Sequence, residues 1–229
     1  MQPSWNSQLE ELLAPREWVA SDPFLIECLF DETVFPDDVV KGFELVVRSS
    51  LPHSHVAQIF RHILEGDGDF MREDLIVCPK NWGAELEGDV HRHLVDVLAE
   101  RRYHPELESA WRASHGKDTS VYYHAVAYSL EALSGIADVP HRFFAEECTR
   151  ALRGAQGGYR EHYDNMRLAI SEMLQAYRWH NDLLPVWELL LDEHSHVFHD
   201  RVRDVALERF STVTGIPDGL ISRFGALSR

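Results

Sequence analysis

An apolar pattern that recurs along the chain limits its fold more than any other feature of the sequence. In the segment 199–215, four apolar side chains lie three or four residues apart, as one buried face of a helix requires. The same offsets occur 80 residues earlier, and a weaker copy lies midway between the two. The three copies are Val202, Ala206, Phe210 and Val213; Tyr122, Val126, Leu130 and Leu133; and His162, Met166, Ile170 and Met173. A period of about 40 residues predicts an array of helical repeats.

Glycine and proline positions support the same period. Gly135 and Gly215 each follow the last apolar residue of a copy, where a helix favours a left-handed residue. Pro105 and Pro185 are also 80 residues apart, and each is predicted to lie in the first turn of a helix. The predicted helices cover residues 5–13, 16–20, 24–30, 36–50, 54–65, 82–103, 104–115, 119–135, 140–153, 159–178, 185–193, 199–215 and 218–227.

These elements predict a single α-helical repeat domain over residues 1–229. Its parts are an N-terminal cap (1–35), degenerate helix pairs (36–103), regular 40-residue repeats (104–215) and a C-terminal cap (216–229). The glycines of 154–158 predict a turn. The segment 66–82 is the least defined, because its apolar run at 75–78 has strand propensity but is short and isolated. We interpret that run as apolar filling at a helix junction.

The last apolar copy also carries a motif. Its residues are Val202, Arg203, Ala206, Leu207 and Glu208, followed by Thr214 and Gly215. With paired helices repeating near 40 residues, this pattern resembles the HEAT-like repeats. The resemblance implies an all-α, right-handed superhelix built of antiparallel helix pairs. It indicates no subfamily, and no functional motif of the HEAT-like enzymes matches residues of this chain.

The charge balance restricts the class of partner. The chain has 22 Lys and Arg against 38 Asp and Glu, a net charge of −16 with its 14 histidines neutral. Such a surface repels phosphate backbones and attracts basic proteins, so we predict a basic protein partner and no nucleic acid. No apolar run is long enough to span a membrane and the N-terminus lacks a signal-peptide pattern, so we expect no membrane association and a cytoplasmic location. The three separated cysteines form no CxxC pattern, and no cofactor is predicted.

A histidine-rich stretch at 192–200 is the main candidate for chemistry. His194, His196 and His199 lie close together among carboxylates, and imidazole and carboxylate groups are ligands for zinc or iron. The spacing matches no established metal motif. The alternative interpretation is a polar loop between two helices, in which a side chain such as Ser195 caps the following helix.

The partner-binding prediction rests on an aromatic residue and nearby acids. Trp179 lies at a predicted turn between helices, and Asp182, Asp192 and Glu193 follow it. An aromatic residue surrounded by acid is typical of a protein-binding hot spot. We therefore predict a non-enzymatic protein-binding module without catalytic residues, with an immunity or inhibitor protein for a basic toxin or nuclease as its specific form. The alternatives are a HEAT-like enzyme or metal-dependent hydrolase that uses 192–200, and a self-associating scaffold.

Overall fold

The computed structural model of the chain describes residues 5–14, 16–19, 21–31, 36–65, 84–115, 123–157, 159–191 and 197–227. Within these ranges the regular structure is helical and no strand occurs, which confirms the predicted all-α class. None of the helices described is both long enough and apolar enough to cross a membrane. The chain divides into two compact units, Met1–Gly116 and Lys117–Arg229, and the boundary lies inside the stretch that the sequence assigns to regular repeats.

The first unit contains six described α-helices. They are α1 (Trp5–Leu12), α2 (Asp22–Asp31), α3 (Pro36–Arg48), α4 (His53–Glu65), α5 (Ala84–Ala99) and α6 (Glu108–Ser114). The odd-numbered helices pack on one another, α1 on α3 and α3 on α5, while α2 packs on α4 and α4 on α6. Contacts between α1 and α2 and between α3 and α4 join the two rows. This alternation is the packing that stacked helical pairs produce.

The second unit repeats the alternation. Its described helices are α7 (Tyr123–Ser134), α8 (His141–Gln156), α9 (Arg160–Ala176), α10 (Leu184–Leu190), α11 (His199–Ser211) and α12 (Asp218–Ala226). Helix α9 packs on α7 and α11, and α8 packs on α10. Contacts of α8 with α7 and α9, and of α11 with α12, join the rows.

Most residues of the three apolar copies are buried in the structure. The described members that are buried are Val126, Leu130, Leu133, Met166, Ile170, Val202, Ala206 and Phe210. Val213, His162 and Met173 are only half-buried, and Tyr122 lies outside the described residues. Helical periodicity therefore identifies the buried faces of α7, α9 and α11 correctly, but not their ends.

A turn that precedes the short helices α6 and α10 occurs once in each unit. A single 3-10 turn covers Pro105–Leu107 in the first unit and Asn181–Leu183 in the second, and a histidine caps each one. The two caps, His104 and His180, are 180 minus 104, or 76, residues apart. The fully buried Trp111 and Trp187 have the same spacing.

This spacing differs from the 80 residues expected from the prolines. Pro105 opens the 3-10 turn of the first unit, whereas Pro185 is the second residue of α10, so the two are not equivalent. Both positions fall near a helix start, where proline is tolerated because the backbone N–H needs no partner. Proline therefore marks the region of a helix start but does not fix its register.

Several predicted elements differ from the observed ones. Residues 16–19 are not helical, and α8 continues through Gly154 to Gln156, where a turn was expected. Helix α11 ends at Ser211 rather than near Gly215, because the hydroxyls of Ser211 and Thr212 donate to the carbonyls of Glu208 and Arg209. Those hydrogen bonds satisfy the last carbonyls of the helix. The segment 66–82 lies outside the described residues.

Candidate functional site

Trp179 and Asp182, two of the predicted partner-binding residues, lie together in the turn between α9 and α10. Trp179 is half-buried, and its ring meets the ring of Phe210 edge-on, with centroids 6.3 Å apart. Asp182 is exposed, and its carboxylate lies 3.2 Å from Nδ1 of His180. The turn therefore presents a packed aromatic ring beside an exposed carboxylate.

Of the other predicted site residues, which all lie in the 192–200 stretch, the structure describes only His199. Asp192, Glu193, His194 and His196 lie outside the described residues. His199 is the first residue of α11 and is buried. The part of the chain that the structure describes contains no group of three or more residues placed to hold a metal ion. The metal site therefore stays a prediction.

The contact of His199 with Arg167 indicates which tautomer the neutral ring adopts. An Arg167 guanidinium nitrogen lies 3.2 Å from Nδ1 of His199. Because a guanidinium only donates hydrogen bonds, Nδ1 must accept, and the proton of the neutral ring is on Nε2. In this arrangement Nδ1 of His199 is engaged by Arg167. His199 thus belongs to the internal packing of the second unit.

Arg167 is the centre of a buried polar cluster. It is fully buried, donates to the carbonyl of Leu190 (2.7 Å) and lies 3.3 Å from the carboxylate of Asp164. Its guanidinium carbon also lies 5.9 Å from the ring centroid of Tyr163. The contact with Leu190 fixes the C-terminal end of α10 against α9.

The first unit contains the counterpart of that contact, at the 76-residue spacing. His91 of α5 donates from Nε2 to the carbonyl of Ser114, the last residue of α6, at 2.7 Å. Burial lowers the pKa of His91, because the charged ring would lose hydration. A different side chain thus makes the equivalent contact in each unit.

Two stacked histidine pairs are the most distinctive polar feature of the described residues. In the first histidine pair, His53 opens α4 and stacks on His104, with ring centroids 4.2 Å apart and an interplanar angle of 18°. Nδ1 of His104 accepts the backbone N–H of Glu106, which caps the 3-10 turn. The Glu106 carboxylate in turn accepts the backbone N–H of Ser54 in the first turn of α4. The pair therefore joins the N-terminus of α4 to the turn before α6.

The second histidine pair has the same construction in the second unit. His141 opens α8 and packs on His180, with centroids 4.4 Å apart and an interplanar angle of 37°. Nδ1 of His180 accepts the backbone N–H of Asp182, which caps the second 3-10 turn. The ring of Tyr177 also meets His141, at 5.7 Å between centroids.

The surroundings of His53 and His141 favour the neutral form of these two rings. Burial, followed by the neighbouring histidine and an arginine, lowers the pKa of His53 and that of His141, while a nearby carboxylate opposes the shift. Nδ1 of His53 and Nε2 of His141 are buried without a hydrogen-bond partner among the described residues. A second proton on either ring would therefore be buried without an acceptor.

Sequence analysis missed these pairs, although a signal for them is present. Leu51, Pro52 and His53 are matched by Val139, Pro140 and His141, and each turn reads His-x-x-Leu-x-x-x-Trp. The helix starts are 88 residues apart while the turns are 76 apart, so no single period aligns both. Only the folded chain shows that each Pro-His step meets a capped turn.

Comparison with protein-family models, with curated proteins and with solved structures finds no match to this chain.

Proposed function

We propose that the chain is a non-enzymatic, HEAT-like helical-repeat module that binds a basic protein, with inhibition of a basic toxin or nuclease as its specific form. The observation that carries the proposal is the net charge of −16. Opposite charge on a partner accelerates association and excludes acidic competitors. Binding of this kind requires no catalytic group.

The acidic excess is not shared equally by the two units. Residues 1–116 contain 22 Asp and Glu against 10 Lys and Arg, a net charge of −12. Residues 117–229 contain 16 against 12, a net charge of −4. We therefore expect the electrostatic attraction of a basic partner to come mainly from the first unit. Exposed carboxylates available for it include Glu10 and Glu11 on α1 and Asp37 on α3.

The packing of the helices supports a binding module. In each unit, helices pack on the helix two places further along the chain, as stacked helical pairs do. Arrays of such pairs provide extended surfaces for protein ligands. The HEAT-like superhelix is the form of this architecture that the sequence motif favours.

A contact point in the second unit is proposed at the turn before α10. Trp179 is held by Phe210, so that binding would cost little side-chain entropy, and Asp182 is exposed beside it. Hot spots often combine an anchored aromatic ring with polar groups at its rim. The two units would then have different roles, attraction in the first and an aromatic contact in the second.

The proposal is tested by affinity capture from an extract of the organism that encodes the chain, with elution by increasing salt. The baits are the wild type, an attraction variant (Glu10→Gln, Glu11→Gln, Asp37→Asn), a contact variant (Trp179→Ala, Asp182→Asn) and a control variant (Glu131→Gln, Glu161→Gln, Glu188→Gln). The control variant removes three exposed carboxylates from the second unit. Wild type and control variant should retain a basic protein at low salt and release it as the salt rises.

The variants separate the two parts of the proposal. The attraction variant should elute at lower salt than the control variant, and the contact variant should lose about 2 kcal/mol of binding, as substitution of a hot spot does. Failure of all baits to retain a basic protein overturns the proposal. Capture of nothing but further copies of the chain favours the self-associating scaffold instead.

A further inference from the structure

We propose that the two histidine pairs are acid-operated latches, each of which holds the first turn of a long helix against a capped 3-10 turn and releases it on protonation. In each latch, the ring that opens the helix is the helix histidine, His53 or His141. The ring that caps the turn is the turn histidine, His104 or His180. The inference concerns the chain itself and does not depend on any partner.

The geometry gives one latch in each unit. A helix histidine packs on a turn histidine at 4.2 Å in the first unit and 4.4 Å in the second. Both turn histidines accept the N–H of the residue two places further on through Nδ1. Both helix histidines follow a proline. The recurrence of one arrangement at two separate turns argues against a chance contact.

Protonation acts on both rings of a latch. A protonated turn histidine carries a hydrogen on Nδ1 and can no longer accept the capping N–H. A protonated helix histidine lies at the N-terminus of its helix, where the helix dipole disfavours positive charge. Two charged rings in one stack also repel each other. Each effect favours separation of the helix from the turn.

The charged groups that face each helix histidine come from the segment that carries its turn. They are His104, Arg101 and Glu106 for His53, and His180, Arg178 and Asp182 for His141. These groups have the largest electrostatic effects on the two rings. The arginine opposes protonation of the closed latch, and the carboxylate alone favours it.

The direction of the response follows from linkage. In the open latch a histidine has its ordinary pKa of 6.5, whereas in the closed latch the pKa of the helix histidine is lower. Below pH 6.5 the open form therefore binds more protons than the closed form. For each proton taken up, opening increases by at most about tenfold per pH unit, and the increase stops once the closed form is also protonated.

Amide hydrogen exchange tests the latches in the intact chain. The reporters are the first-turn amides of Val56, which donates to the Pro52 carbonyl, and Phe144, which donates to the Pro140 carbonyl. After correction for intrinsic exchange, their protection should fall below about pH 6.5, by at most about tenfold per pH unit for each proton taken up. The amide of Leu220 is the control, because α12 also follows a proline but begins with Asp218 instead of histidine.

Single variants assign the response to its ring. His53→Asn and His141→Asn each remove the ring whose pKa the closed latch lowers and put a smaller polar side chain in its place. Each variant should abolish the pH response of its own unit and leave the other unit's reporter unchanged. His93→Asn, at an exposed position of α5, should leave both responses intact. Histidine titration by NMR in the wild type should give pKa values for His53 and His141 below the ordinary histidine value of 6.5, whether or not the variants fold.

The proposal is overturned if protection at both reporters is flat from neutral pH to mild acid. It is also overturned if Leu220 responds as strongly as the reporters, because the response would then be global. Retention of the response in both asparagine variants would show that other groups cause it. A pKa at or above the ordinary value of 6.5 for both His53 and His141 in the NMR titration would exclude the latch without any variant.

Discussion

Replacement of Arg167 by methionine tests how the buried charges of the second unit contribute to stability. The guanidinium is fully buried, and the Asp164 carboxylate that faces it at 3.3 Å is almost as inaccessible. The substitution removes the positive charge and the hydrogen bond to the Leu190 carbonyl, at 2.7 Å, but keeps most of the side-chain volume. What remains is a buried carboxylate without its guanidinium.

The expected loss of unfolding free energy is large. Breaking a buried ion pair by removal of one partner costs about 3–5 kcal/mol, because the remaining charge stays buried and loses that partner. A domain is typically stable by about 5–15 kcal/mol, so this loss is a substantial part of the total. The double variant Arg167→Met, Asp164→Asn should recover about 2 kcal/mol, because the buried carboxylate charge is then gone.

Urea unfolding followed by far-UV circular dichroism measures both effects. Arg153→Met is the matched control, because Arg153 is an exposed arginine of α8 and its replacement should change stability by less than about 0.5 kcal/mol. If Arg167→Met costs no more than this control, the buried pair does not stabilise the fold and the reasoning is refuted. A double variant no more stable than Arg167→Met would show that the loss comes from packing and the Leu190 contact, not from charge.

Three further predictions concern two glycines and the pH dependence of stability. Gly42→Ala should destabilise the chain by about 1–3 kcal/mol in urea, because the new methyl group would lie 2.2 Å from the Trp5 ring; unchanged stability would contradict that packing. Gly219→Ala should stabilise it by about 0.4–1 kcal/mol, because nothing lies within 4 Å of the added carbon and alanine favours the helix; a loss would contradict this. The histidines with lowered pKa values in α4, α5 and α8 should make global stability fall below about pH 6.5, by at most about 1.4 kcal/mol per pH unit for each proton. Thermal melts at neutral pH and in mild acid measure this fall, and equal melting temperatures would refute it.

Much of the fold follows from local patterns in the sequence. Helices α3, α4, α9 and α12 were expected within a few residues of their observed bounds, because apolar periodicity and proline positions depend on near neighbours. Buried positions such as Val126 and Phe210 follow from the same periodicity. The end of α11 was missed, because side-chain hydrogen bonds near Ser211 compete with the glycine signal further on.

The 80-residue spacing of the prolines differs from the 76-residue spacing of the capped turns. Proline is tolerated at several positions near a helix start, so Pro105 and Pro185 occupy different positions in their turns. The histidine caps are the equivalent residues, since each is fixed by a hydrogen bond to its own turn. The capping histidines therefore identify equivalent positions in the two units better than the prolines do, because proline is accepted at several positions of a helix start.

The sequence by itself determined the all-α class, the buried helix faces and the acidic balance, because these depend on composition and on neighbours within a few residues. Only the tertiary structure decided which distant residues meet. It joined His53 to His104 and placed His199 beneath Arg167, although the residues of each pair are far apart in the chain. Such contacts depend on how helices pack, and a linear pattern does not contain the positions of packed helices in space.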